Sequence, residues 1–175
     1  MVSLEDLKNE AKRILSEEKV KYIIGYQKGT NGVLSAPVFI KKSEDVDKLT
    51  WDPTCIHNLT RFLADERQKN VRAKDPDERP VGIMVKGCDS RALVVLMQEE
   101  FIKRENIYII GVSCEKTGVL DEKKLKEKTS GKGVERVEYG AKDNFIIKTK
   151  NNKTEISAGE LLAERCRECK ANFPV

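Results

Sequence analysis

Five cysteines, at positions 55, 88, 114, 166 and 169, are the residues of this 175-residue chain whose type and spacing carry chemistry. Cys166 and Cys169 form a C-x-x-C pair in ERCRECK, half of a metal site, and residues three apart on a helix share a face. Cys88 follows the apolar run VGIMVK in VKGCDSRALVV, and Cys114 ends a second apolar run, IYIIGVSC. An odd number of cysteines fits poorly with complete disulfide pairing, so metal, cluster or dithiol chemistry is the class to test.

The elements around the cysteines explain how they meet. VGIMVK reads as a strand buried on both faces, GCDSRALVVLMQEEFIKR as a turn opening a helix, and IYIIGVSC as a second strand. This β–α–β unit, residues 81–113, predicts two parallel strands joined by a right-handed crossover. Ligands of open parallel sheets bind beyond the carboxyl ends of the strands. Cys88 and Cys114 then come close despite being 26 positions apart, with Asp89 or Ser90 capping the helix and Arg91 in its first turn. A helix N-terminus there favours a thiolate or another anion.

A final helix over SAGELLAERCREC lays Cys166 and Cys169 across the same edge. Four thiolates, Cys88, Cys114, Cys166 and Cys169, suffice for a [4Fe–4S] cluster or a tetrahedral zinc site. The plainer alternative makes Cys88 and Cys114 small buried residues. A dithiol role for the C-x-x-C ranks last, because the pair falls late in its helix, where the dipole has the wrong sign.

Ser3 caps an amphipathic helix running to about Glu18, and KYIIGYQ and APVFI read as strands. SEDVDKL is a capped helical turn, PTCIHNLTRFLADERQ a helix, RAKDPDERP a surface loop and LDEKKLKEK a helix. VERVEYG, NFIIKTK and NKTEIS read as short antiparallel strands. The expected architecture is therefore α/β: a central parallel β–α–β unit, added antiparallel strands and a C-terminal helix carrying the C-x-x-C, in a single domain over 1–175.

Hydrophobic residues make up 39% and charged residues 35%, the balance of a globular protein. The 33 basic and 29 acidic residues are interleaved, which reads as a solvated surface and argues against a nucleic-acid partner. No apolar run is long enough to span a bilayer and no signal peptide is evident, so the expectation is a cytoplasmic protein without a membrane partner.

With PVGIMVKGCDSRALVVLMQE, IYIIGVSC and ERCRECKANFPV in hand, the chain resembles the beta-subunit family of deazaflavin-reducing hydrogenases and dehydrogenases. The resemblance runs from about residue 20 to the end and is strongest at 80–114 and 160–175. Members are α/β iron–sulfur electron-transfer proteins, and several bind FAD. The resemblance implies that Cys88, Cys114, Cys166 and Cys169 are cluster ligands and that the partners are other subunits of a redox complex and a flavin or deazaflavin. The ferredoxin-type C-x2-C-x2-C-x3-C-P runs of many members are absent from these 175 residues, which argues against a two-cluster module.

Lys28, Gly29, Thr30, Asn31 and Gly32 form a glycine-containing loop whose backbone N–H groups can meet a cofactor phosphate or ring, although it matches neither the dinucleotide fingerprint nor the P-loop and also reads as an ordinary turn. Asn58 and Arg61 are candidate flavin or phosphate contacts, and Arg91 can face a cluster, a phosphate or a nearby acid. Cys55 reads as a buried helical thiol, and no motif places a carboxylate or nucleophile beside His57. The expected function is electron relay through one [4Fe–4S] cluster within an oxidoreductase, without an acid–base catalytic residue. The alternative is an interaction module built on an all-cysteine zinc site.

Overall fold

A computed structural model describes residues 3–30, 33–114, 118–129, 133–141, 143–171 and 173–174. Helix α1, Leu4–Ser16, begins with a capping box in which Ser3 accepts from the Asp6 N–H and Asp6 reaches back to the Ser3 N–H. Leu7, Ala11 and Ile14 form its buried stripe.

Strands β1, Ile23–Lys28, and β2, Ser35–Ile40, follow, then a 3-10 turn at Ser43–Lys48. Helix α2, Arg61–Arg72, leads to strand β3, Val81–Val85, helix α3, Gly87–Gln98, and strand β4, Ile107–Gly111. The sheet order is β2-β1-β3-β4. β1 pairs antiparallel with β2 and parallel with β3, and β3 pairs parallel with β4 across the helical crossover. Every residue of β3 is buried. The carboxyl ends of β1, β3 and β4 consequently face one edge.

A second sheet, order β5-β6-β7, is the expected antiparallel meander: β5 is Val134–Tyr139, β6 Asn144–Thr149 and β7 Lys153–Ser157. It follows helix α4, Glu122–Thr129. Two hydrophobic clusters result. One gathers Ile14, Ile23, Ile83, Met84 and Leu93 around the parallel sheet, and the other gathers Leu125, Val137, Phe145 and Leu161 around the meander.

Three expectations need correction. The C-terminal pair does not ride on one helix. Helix α5, Ala158–Leu161, and helix α6, Glu164–Arg167, are separated by extended backbone at Leu162 and Ala163. Competing partners explain the break: Leu162 bridges to Leu120, the Ala163 N–H donates to the Val119 carbonyl at 3.0 Å, and Lys124 donates to the Leu162 carbonyl. Cys166 lies in α6 and Cys169 beyond it.

The helix expected over 53–68 starts only at Arg61. Asp52 accepts from the Thr54 N–H at 2.8 Å and Asn58 from the Thr60 N–H at 2.9 Å, local bonds that compete with helical ones. Cys55 and His57 therefore lie in a loop.

Neither Asp89 nor Ser90 caps α3. The helix starts earlier, at Gly87, with Lys86 at the N-cap and no side-chain cap. Ser90 Oγ donates instead to the Gly87 carbonyl, and Cys88 sits within the first turn.

Candidate metal centre

The carboxyl edge of the parallel sheet is assembled from distant segments. Beyond β4, the chain is held by Trp51, whose Nε1 donates to the Ser113 carbonyl at 2.9 Å, and reaches Cys114, which is buried. The Gly118 N–H donates to the Cys114 carbonyl at 2.9 Å. Gly118 has φ +75°, and a Cβ there would lie 2.7 Å from Cys166 Cβ and 3.1 Å from its Sγ. Only glycine meets both demands, the left-handed backbone and the close approach. Gly118 thus joins the segment of Cys114 to helix α6.

The last residues complete the edge. A Cβ on Gly87 would sit 2.6 Å from the Phe173 carbonyl oxygen, and one on Gly111 would sit 2.7 Å from Pro174 Cγ. The tail after Cys169 therefore crosses the ends of β3 and β4, against the first turn that carries Cys88. Arg165 ties α6 to the 52–59 loop by donating to the Ile56 carbonyl at 2.8 Å.

Cys88, Cys114 and Cys166 are close enough to act on one another electrostatically: Cys114 feels both Cys88 and Cys166, and Cys88 feels Cys166. Burial pushes the Cys114 thiol up to about 12, with Cys88 adding to the rise and Lys86 opposing it. The Cys88 thiol is also raised, first by desolvation and then by the Asp89 carboxylate, against the pull of Lys86. The helix start therefore does not by itself deliver a thiolate at Cys88, because burial first and the Asp89 carboxylate second oppose it. Among the described residues, no three His, Cys, Asp or Glu side chains are already gathered tightly enough to hold a metal ion. In donor chemistry the thiols of Cys88, Cys114 and Cys166, from three separate segments of the chain, would suit an iron–sulfur group.

Lys28 and Thr30 are exposed at the end of β1, with Gly29 half-buried between them, while Asn31 and Gly32 lie outside the described residues. Arg91 is exposed on α3. Asn58 is engaged locally with Thr60, and the Arg61 guanidinium lies 5.5 Å from the Phe62 ring centroid. Cys55 is fully buried and its Sγ reaches toward the Thr50 carbonyl at 3.9 Å. Burial pushes its thiol up to about 12.

Sequence reasoning gave Lys86 and Tyr26 no part in the site and read Asp89 only as a helix cap. The ammonium of Lys86 donates to the Tyr26 hydroxyl and to the Cys55 and His57 carbonyls. A lysine ending the all-apolar strand VGIMV was the available signal, since lysine is almost never fully buried unless paired.

The fold and the edge define an α/β protein with thiols converging beyond parallel strands. Residues 78–175 match the family described as the C-terminal part of the coenzyme F420 hydrogenase/dehydrogenase beta subunit, and the chain belongs to that family. The F420-dependent formate dehydrogenase 1 subunit beta of Methanococcus maripaludis is 26% identical over 103 residues, 59% of this chain and 24% of that protein. A chain in a structure of the F420-reducing [NiFe] hydrogenase complex from Methanosarcina barkeri shares the fold, with TM-score 0.69 and 15% identity. That match covers 93% of this chain and 57% of the hydrogenase chain, so this chain spans only part of either relative. The family match starts at residue 78, whereas the likeness in fold takes in most of the preceding residues as well. No helix among the described residues is long and apolar enough to cross a membrane.

Proposed function

We propose that this chain is the iron–sulfur electron-transfer module of a hydrogenase- or dehydrogenase-type oxidoreductase complex, with Cys88, Cys114, Cys166 and Cys169 as the ligands of one [4Fe–4S] cluster. The observation that carries this reading is that Gly118 joins the Cys114 segment to Cys166 of α6, while the chain beyond Cys169 lies across the first turn of α3, which carries Cys88. When bound, the cluster supplies one-electron transfer. The protein supplies the thiols, the α3 N-terminus and the burial of Cys114. Membership in the F420 hydrogenase/dehydrogenase beta-subunit family supports a flavin or deazaflavin as redox partner and the other subunits of such a complex as protein partners. Lys28, Gly29, Thr30, Asn31, Gly32, Asn58, Arg61 and Arg91 are the residues assigned to FAD or deazaflavin contact.

Iron, acid-labile sulfide and zinc are measured on protein purified without oxygen, with the visible spectrum before and after dithionite. About four irons and four sulfides per chain, with absorbance that bleaches on reduction, are expected. Cys88→Ser and Cys114→Ser should each abolish the cluster. One zinc and no colour would replace this reading with a structural clip of the tail to the sheet edge.

A further inference from the structure

Lys86 is 2% exposed, yet it carries an ammonium beneath the cysteines. That group has three N–H donors. All are used: by the Tyr26 hydroxyl, by the Cys55 carbonyl at 3.2 Å and by the His57 carbonyl at 2.5 Å. Asp89 Oδ2 lies 3.1 Å from the same nitrogen, at ion-pair distance, and both side chains are almost wholly buried. Because the donors are taken, this oxygen has no hydrogen-bond partner among the described residues. Its sister Oδ1 accepts from Cys88 Sγ at 3.6 Å. The order in space is ammonium, carboxylate, thiol.

This arrangement is not what stability alone selects. An apolar pair of similar volume often replaces a buried ion pair without loss, and a carboxylate held by charge alone is a costly occupant of a dry site. The tyrosine and the two carbonyls already satisfy Lys86. Asp89 adds to the lysine a charge of opposite sign, placed against the sulfur.

We infer that Lys86 and Asp89 are positioning residues that set the reduction potential of the group held by Cys88 and Cys114, Lys86 raising it and Asp89 lowering it. The inference rests on the iron–sulfur reading proposed above. Reduction adds one electron, and so one negative charge, at the thiol cluster. A fixed ammonium close by in a poorly solvated site favours the reduced form, and a fixed carboxylate opposes it. The geometry gives the two charges unequal places: the Asp89 carboxylate touches Cys88 Sγ at 3.6 Å, and the Lys86 ammonium stands 3.1 Å behind that carboxylate.

The test is a redox titration, followed by electron paramagnetic resonance, of the full chain loaded without oxygen. It compares wild type, Asp89→Asn, Lys86→Met and the double variant. Asp89→Asn should raise the potential and Lys86→Met lower it, each changing the ratio of oxidised to reduced protein at fixed poise at least tenfold, or 59 mV for a one-electron couple. The double variant should fall between the singles. Shifts of opposite sign separate a charge effect from general damage. Unchanged potentials, or two shifts in one direction, would overturn the inference while leaving the cluster reading intact. If Lys86→Met does not fold, Asp89→Asn decides alone, because it is nearly isosteric and leaves every Lys86 hydrogen bond in place: a rise upholds the inference and its absence overturns it. Wild-type protein without iron would remove the cluster reading and this inference with it.

Discussion

Gly87 lies directly under the backbone of Ala171. A Cβ on the glycine would collide with the Ala171 carbonyl oxygen and would sit 2.6 Å from that of Phe173. Backbone atoms cannot swing aside as a side chain does, so the tail must move if residue 87 gains even a methyl group.

Gly87→Ala is therefore expected to free the tail and to reduce iron loading well below the wild-type level. Limited proteolysis with mass spectrometry, beside an iron assay, reads both effects. Gly133→Ala is the control, since a Cβ there meets nothing within 4 Å. Equal protection and iron in the two variants would contradict the path of the tail.

Cys55→Ala should leave the iron content unchanged and cost about 1 kcal/mol of stability, the ordinary size of a point-mutation effect. Its thiol is fully buried and points toward the Thr50 carbonyl rather than joining the other cysteines. Loss of iron in this variant would mean that the ligand set had been drawn wrongly.

Tyr26→Phe removes a buried hydroxyl that donates to the His57 carbonyl at 2.6 Å and accepts from Lys86. A buried ammonium then lacks one of its acceptors, a loss of about 1–3 kcal/mol. Urea unfolding of the metal-free protein measures it, and a change below about 0.5 kcal/mol, the range of ordinary surface substitutions, would show that the lysine finds another partner at little cost.

Stability should fall on acidification through the Glu10 contact. Arg13 and then Tyr108 hold the Glu10 carboxyl down at about 2, against an ordinary value of 4.5. The folded state binds the proton less readily than the unfolded one, so this contribution is fully present above pH 4.5 and lost as pH drops toward 2. Thermal unfolding of wild type and Glu10→Gln at about pH 6 and about pH 3 tests the sign: the difference between them should shrink at the lower pH. A difference that grows on acidification would refute it. The pair is half-exposed at the surface, so the effect should also weaken in high salt.

Where apolar periodicity dominated, the sequence was a sufficient guide. The all-buried VGIMV strand, the parallel crossover to IYIIG and the three-stranded meander all stand where that pattern puts them. Departures occur where a polar side chain or a distant backbone group competes with the helix. Asp52 and Asn58 delay α2, and Leu120 and Val119 break the C-terminal helix at Leu162 and Ala163. Neighbouring carboxyl ends of β3 and β4 followed from topology, and topology is local enough to read. The lysine–aspartate pair was hidden because its meaning depends on Tyr26 and two loop carbonyls about 30 and 60 positions away from Lys86.

Gly118 also fixes an order of events in time. It seats Cys166 beside the segment of Cys114, yet Cys166 is translated 52 residues after Cys114 and 78 after Cys88. At about 5–20 residues per second, the earlier thiols wait several seconds on the ribosome before their neighbour exists. During that interval they are a pair without a third, open to oxidation, and the edge of the sheet stays unclosed. Assembly of the proposed centre thus waits on the synthesis of α6, so a nascent chain that has emerged only as far as Gly118 holds the sequence of its parallel strands but not that of Cys166.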